Sequence, residues 1–157
     1  MLSKPRYGWS EVTLGDFKTS ASNLDDVPFD WLRACKNGLE YGLPISLYIE
    51  EEGSNSIIVT YYYSTHIIIE DEELNRSLKT IEDLDFMDIT YMLLNDFRDN
   101  FEDWVKWFVY EDSETDFERR RKELKQLIDE TDHYLYIRAS KHNKPYAKFC
   151  YEVPICQ

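Results

Sequence analysis

Apolar positions recur along this chain with two different periods, and the switches between them mark out its elements. Over 7–17, Trp9, Val12, Leu14 and Phe17 alternate loosely with polar residues, which predicts a strand or short hairpin turning at Gly15-Asp16. A polar stretch over 18–26 follows. Phe29, Leu32, Cys35 and Leu39 then keep helical spacing, with Pro28 suited to a first turn and Asp25 or Asp26 placed to cap it. Gly42, followed by Pro44, predicts the helix end, because glycine tolerates the left-handed conformation that closes a helix.

The period shortens again after Pro44. Segments 45–50, 57–63 and 65–70 are rich in Ile, Val and Tyr and are separated by Gly53-Ser54-Asn55 and Ser64-Thr65. Connections this short predict an antiparallel meander. The run Ile57-Ile58-Val59 predicts a central strand covered on both faces. If that strand continues through Tyr61, Tyr62 and Tyr63, the rings alternate faces and at least one is exposed. The pattern weakens over 74–86, where Thr80-Ile81-Glu82-Asp83 resembles a helix start.

A long helix is predicted from Asp88 to Tyr110, with a core stripe of Ile89, Leu93, Phe97, Phe101, Trp104 and Phe108. Glu111-Asp112-Ser113 interrupts it, and Ser113 with Asp116 predicts the start of another helix carrying Phe117, Leu124, Ile128 and Leu135 on one face. Asn143-Lys144-Pro145 reads as a turn, and 146–153 as a last strand ended by Pro154. The expected fold class is α+β. One globular domain over 1–157 would hold a mostly antiparallel sheet of four to five strands, one N-terminal helix and two long antiparallel C-terminal helices.

Composition narrows the function classes. At 43% apolar residues, the chain has enough material to offset its ordering entropy, so a folded domain is expected. No apolar run approaches the length of a membrane span, and no apolar leader follows the first residues. Cys35, Cys150 and Cys156 are odd in number and lack CxxC spacing, which points away from a disulfide framework or zinc site and toward a reducing cytoplasm. Cys35 is expected to be a small core residue.

Charge changes the picture most. Thirty-one acidic against eighteen basic residues give a net charge of −13, which disfavours direct nucleic-acid or anionic-membrane binding and suits a basic protein partner. The charge falls in blocks. Seven acids and no Lys or Arg lie in 50–73, ten acids against two basic residues in 88–118, and nine basic against four acidic in 119–148. In a meander, Glu50–Glu52 and Glu70, Asp71, Glu72 and Glu73 converge at one end of the sheet. That makes either an acidic contact cluster or a solvated rim that blunts the sheet edge.

On the predicted 88–110 helix, Met92, Asp96, Asp99, Asp103, Trp107 and Tyr110 form a second stripe opposite the core face. Carboxylates framed by aromatics suit recognition of Lys or Arg. Alternatively, the last helix packs there, burying Trp107 and Tyr110 while Arg119–Lys122 neutralises the aspartates. Tyr62 joins the candidate contact residues as a tyrosine on an acidic sheet.

No residue nominates itself for catalysis. His66, His133 and His142 lie apart without metal or triad spacing, no GxSxG surrounds a serine, and five glycines leave little room for a phosphate cradle. No cofactor or metal is expected. In size and composition the chain resembles the immunity proteins of bacterial toxin systems, although it matches no motif of theirs. That resemblance implies a non-catalytic inhibitor that neutralises a basic partner such as a nuclease toxin. Two other readings are a phage or mobile-element protein that blocks a host nucleic-acid enzyme by charge mimicry, and a small-ligand binder or enzyme with a Tyr- and Trp-lined pocket between sheet and helices.

Overall fold

The computed structural model describes residues 1–51, 53–107 and 114–142. Glu52, Phe108, Tyr110, the expected cap at Ser113, Cys150, Cys156, the turn at 143–145 and the strand at 146–153 lie outside these residues.

The chain begins with a hairpin, β1 (Trp9–Leu14) and β2 (Phe17–Ser22), closed by the two-residue turn at Gly15-Asp16. Part of the expected polar connection is therefore strand: Ala21 and Ser22 are buried in it. Helix α1 (Val27–Tyr41) begins after Asp26 and ends at Gly42, whose φ of 67° is the left-handed cap anticipated from sequence.

A four-stranded antiparallel meander follows: β3 (Ile45–Glu51), β4 (Ser54–Thr60), β5 (Ser64–Glu70) and β6 (Arg76–Glu82), in that spatial order. Three expectations change here. Strand β4 stops at Thr60, so Tyr61–Tyr63 form the turn into β5 instead of alternating across a strand. Among the described residues, only one face of β4 is covered: Ser56, Ile58 and Thr60 are buried, while Ile57 and Val59 are half-exposed. The helix start expected at 80–83 is instead the end of β6. That strand pairs with β5 along its whole length, and pairing to a neighbour outweighs its weak local pattern.

The expected long helix is also divided. Asp85 caps α2 (Phe86–Asp99), accepting from the Met87 and Asp88 amides, while the Asp88 carboxylate accepts from the Asp85 amide. At Asn100 the backbone leaves helical geometry, and a short α3 (Phe101–Val105) follows. The break turns Trp104 edge-on to Phe97, with ring centroids 5.0 Å apart, and its Nε1 donates to the Asp96 carbonyl in the last turn of α2. Helix α4 (Glu114–Lys141) buries Leu124, Ile128 and Leu135 as expected, together with Leu127 and Ala139. The described helices thus number four, where sequence spacing predicts three.

The core lies on one side of the sheet. Ile45, Leu47, Ile49, Ile58 and Ile67 point inward to meet the hairpin residues Val12, Leu14 and Phe17 and the apolar faces of α1 and α2. Helix α1 is clasped between β3, α2 and α4. Arg138 of α4 closes its C-terminal end, donating to the Leu39 and Glu40 carbonyls that the helix leaves without partners.

Cys35 is fully buried on α1, and burial pushes its thiol up to about 12. Its ordinary value is 9.0, so above pH 9 the unfolded chain loses a proton that the folded chain keeps; the associated stability is present below pH 9 and lost as pH rises toward 12. Alkylation by iodoacetamide at pH 9, followed by peptide mass mapping, is expected to leave Cys35 unmodified in the native protein and to modify it in denaturant. Native labelling at the rate of a free thiol would contradict this burial.

Candidate functional site

The sequence-predicted stripe does not assemble as one surface. Asp96 sits on α2, with Oδ2 3.2 Å from the Met1 amine and accepting from the Leu2 amide at 2.6 Å. Asp99 is exposed near the end of α2, and Asp103 on α3 pairs with Lys4 at 3.3 Å. Trp107 is 4% exposed, packs on Trp104 with centroids 5.0 Å apart and donates Nε1 to the Asp25 carbonyl at 2.9 Å. A buried indole offers no contact area to a partner. The N-terminal segment and the chain leading into α1 therefore occupy the stripe. The basic cluster of α4 is directed elsewhere: Arg120 forks onto Asp26, and Arg121 binds Glu102 and holds that carboxyl below its ordinary value.

Tyr62 is likewise drawn inward. Its ring stacks edge-on to Phe86 at 4.8 Å and lies 4.8 Å from His142, while its hydroxyl accepts from Arg138 at 3.2 Å. Tyr63 is the ring that this turn leaves furthest outside, at 85% exposure, with Tyr61 also exposed.

The acidic end of the sheet does form. Glu50, Asn55, Glu70 and Arg76 stand in register across β3 to β6, with Arg76 on Glu70 at 2.7 Å. The two neighbouring turns touch: a Cβ added at Gly53 would overlap the Glu72 side chain. Beyond the strands, Asp71 orders its own loop by accepting from the Asn75 amide and side chain and from the Glu73 amide. Those donors hold its carboxyl below the ordinary value. Leu74 is fixed at φ 64° and exposed at the tip of the same loop.

One row inward lies a surface that sequence spacing did not single out. Tyr48, Ile57, Ile68 and Leu78 are directly paired across all four strands on the face away from the core. Tyr48 is 45%, Ile68 38% and Leu78 64% exposed, and Ile57 is half-exposed. The next row, Ser46, Val59, His66 and Thr80, is mostly polar, with His66 bridging the Ser64 and Thr80 hydroxyls. The apolar row thus ends against carboxylates on one side and hydroxyls on the other. Desolvation, followed by the negative field of Glu50, Asp25 and Glu70, raises the Tyr48 phenol above its ordinary value. Burial and then Glu50 do the same to Asp25. The field of the acidic end therefore reaches the apolar row. The sequence signal was the alternation around Tyr48, between inward Leu47 and Ile49; register across β6 was needed to extend it to Leu78.

Among the described residues, cavities elsewhere carry other chemistry. A groove of about 430 Å³ between α1 and α4 is lined by Phe29, Arg33, Lys36 and Glu130 among others, and Lys36 is spent on Glu130 at 2.8 Å. A second, of about 360 Å³, lies between the β1–β2 hairpin and the sheet and holds Lys18, Glu51 and Lys79. Neither has the Tyr and Trp lining expected of a ligand pocket between sheet and helices. Among the described residues, no group of three or more His, Cys, Asp or Glu side chains could hold a metal ion. No described helix is long and apolar enough to cross a membrane. Comparison with protein-family models, curated proteins and solved structures finds no match, so function must be argued from these surfaces alone.

Proposed function

We propose that this protein is a non-catalytic, cytoplasmic inhibitor of a basic protein partner, as in bacterial or phage toxin-neutralising systems, and that it binds through the outer face of its four-stranded sheet. The observation that carries this reading is the exposed row Tyr48, Ile57, Ile68 and Leu78 ending against Glu50, Glu70 and the Asp71–Glu73 loop. An apolar strip on a pleated sheet gives a partner rigid area to desolvate. The carboxylates beside it speed the approach of Lys and Arg and set register. Asp99 and Asp103, the latter in an exposed pair with Lys4, add to the acidic surface, whereas Asp96, Trp107 and Tyr62 are engaged within the fold.

Phosphate mimicry would call for carboxylates ranged along an exposed face. Here the open face carries an apolar row with acids at one end, which favours a protein partner over imitation of a nucleic acid.

The test is calorimetric titration against the purified product of the gene adjoining this one. The combined variant Glu50→Lys, Glu70→Lys, Glu72→Lys is expected to weaken binding roughly tenfold or more and to flatten its salt dependence. Ile68→Ser with Leu78→Ser should weaken it at constant salt dependence. Unchanged affinity in both variants, or no binding at low salt, would refute the reading.

A further inference from the structure

The two edges of the four-stranded sheet are finished differently. At β3 the Tyr48 carbonyl accepts from Trp31 Nε1 at 3.2 Å, and the Glu51 carboxylate accepts from the Ser20 amide of β2, so the edge is covered by α1 and the hairpin. At β6 no described residue pairs with the outward backbone. This edge is seven residues long, in unbroken register with β5, and contains no proline or bulge. Lys79, the residue type that usually discourages strand addition, has its ammonium tied to Asp16 at 3.1 Å.

The residues along β6 also complement themselves. The strand reads Arg76-Ser77-Leu78-Lys79-Thr80-Ile81-Glu82. Set antiparallel to a second copy about Lys79, Arg76 falls opposite Glu82 of that copy, Leu78 opposite Thr80, and Ser77 opposite Ile81. The register thus makes two opposite-charge pairs on the outer face, related by the two-fold axis. Only Lys79 meets its own kind, and each copy brings Asp16 to it. The segment 74–81 contains Arg76 and Lys79 and no acid, which makes it a basic interruption in a chain of net charge −13.

We infer that β6 pairs with β6 of a second copy, joining two four-stranded sheets into one of eight strands. The inference is independent of the docking reading, because pairing extends the outer face without covering it and places the two acidic ends at opposite sides. Pairing along a single seven-residue edge brings together far fewer than the roughly 20–30 residues a side of a stable interface, so a dimer exchanging at micromolar concentration is expected.

The test is sedimentation equilibrium of the full chain, at about 0.15 M salt to screen its net charge. The wild type should show a concentration-dependent dimer. Arg76→Glu and Glu82→Arg should each weaken self-association by at least about tenfold, because each places like charges opposite one another. Mixed in equal amounts, the two variants should form a heterodimer, since the two basic side chains at these positions in one variant then face the two acidic ones in the other. That mixing result also shows that both variants are folded. A wild type that stays monomeric to about 500 µM would overturn the inference. So would single variants that dimerise as the wild type does, or a mixture that fails to recover association while the wild type associates.

Discussion

Replacing Arg120 with alanine is expected to lower the unfolding free energy by about 3 kcal/mol, the low end of the cost of removing one partner of a buried ion pair, because this pair is only partly buried but carries further contacts. Arg120 is 12% and Asp26 21% exposed, and the guanidinium meets the carboxylate through two parallel bonds of 2.9 Å. The same side chain donates Nε to the Val105 carbonyl at 2.9 Å and lies over the Phe29 ring at 4.6 Å. It therefore joins the start of α4 to the start of α1 and the end of α3. Truncation leaves the Asp26 carboxylate half-enclosed without a counter-charge and the Val105 carbonyl without this donor.

In a chain of this size the loss should appear as a fall in Tm of roughly 6–12 °C. Arg120→Lys should recover only part of it, because an ammonium retains the charge but not the fork or the Nε bond. A double-mutant cycle with Asp26→Ala separates the pair from the other contacts. A loss below about 1 kcal/mol for Arg120→Ala would mean that the three contacts do not hold α1, α3 and α4 together.

Gly38→Ala carries the second large effect, in the direction opposite to helix propensity. In an open helix this change stabilises by about 1 kcal/mol, since alanine loses less backbone entropy. At Gly38 an added Cβ would overlap Ile45 Cγ1 and come within 3.0 Å of Ile45 Cδ1 and of the Leu43 carbonyl oxygen. Ile45 is 1% exposed and its strand is held on both sides, by β4 and by α1, so it has little room to yield. A net destabilisation of about 2 kcal/mol is expected in chemical denaturation. Ile45→Ala should be markedly less costly in the Gly38→Ala background than in the wild type, because it removes the clashing atoms. A Gly38→Ala protein as stable as the wild type would show that α1 and β3 are not in this close contact.

Legibility from sequence followed the reach of the forces involved. Both ends of helix α1 were readable because their signals are local: Pro28 in the first turn and the left-handed Gly42 at the end act within a turn of the helix they bound, whereas Asp26 holds the N-cap position without a side-chain cap bond, its carboxylate being taken by Arg120. Strands β3, β4 and β5 were readable from their β-branched runs, and the convergence of Glu50 and Glu70 followed from short connections alone. The break at Asn100 was not readable, because an apolar period of 3.6 runs through it. With the chain bent there, Trp104 seats against Phe97 and Trp107 donates to the Asp25 carbonyl just ahead of α1. Strand β6 was missed for a related reason: Arg76-Ser77-Leu78-Lys79 has little strand character until β5 supplies a partner.

The candidate site divides along the same line. The acids at 70–73 were identifiable by charge, as a run of four carboxylates in succession. The stripe from Asp96 to Tyr110 was identifiable only as a period, and a period does not say what covers it. Residues from the other end of the chain, Met1, Leu2 and Lys4, meet Asp96 and Asp103, while Asp25 takes the Trp107 indole.

By itself, then, the amino-acid sequence determined an α+β chain with an antiparallel meander, a capped first helix and an acidic sheet end, because periodicity, turn chemistry and charge act over a few residues. The tertiary structure alone decided which face of the sheet stays open, which acids of the stripe the fold engages, and how Tyr48, Ile57, Ile68 and Leu78 become one row. Those depend on register between strands and on partners far along the chain, as with Asp96 and Leu2 at a separation of 94. No local pattern encodes a partner that distant; packing the two segments against one core does.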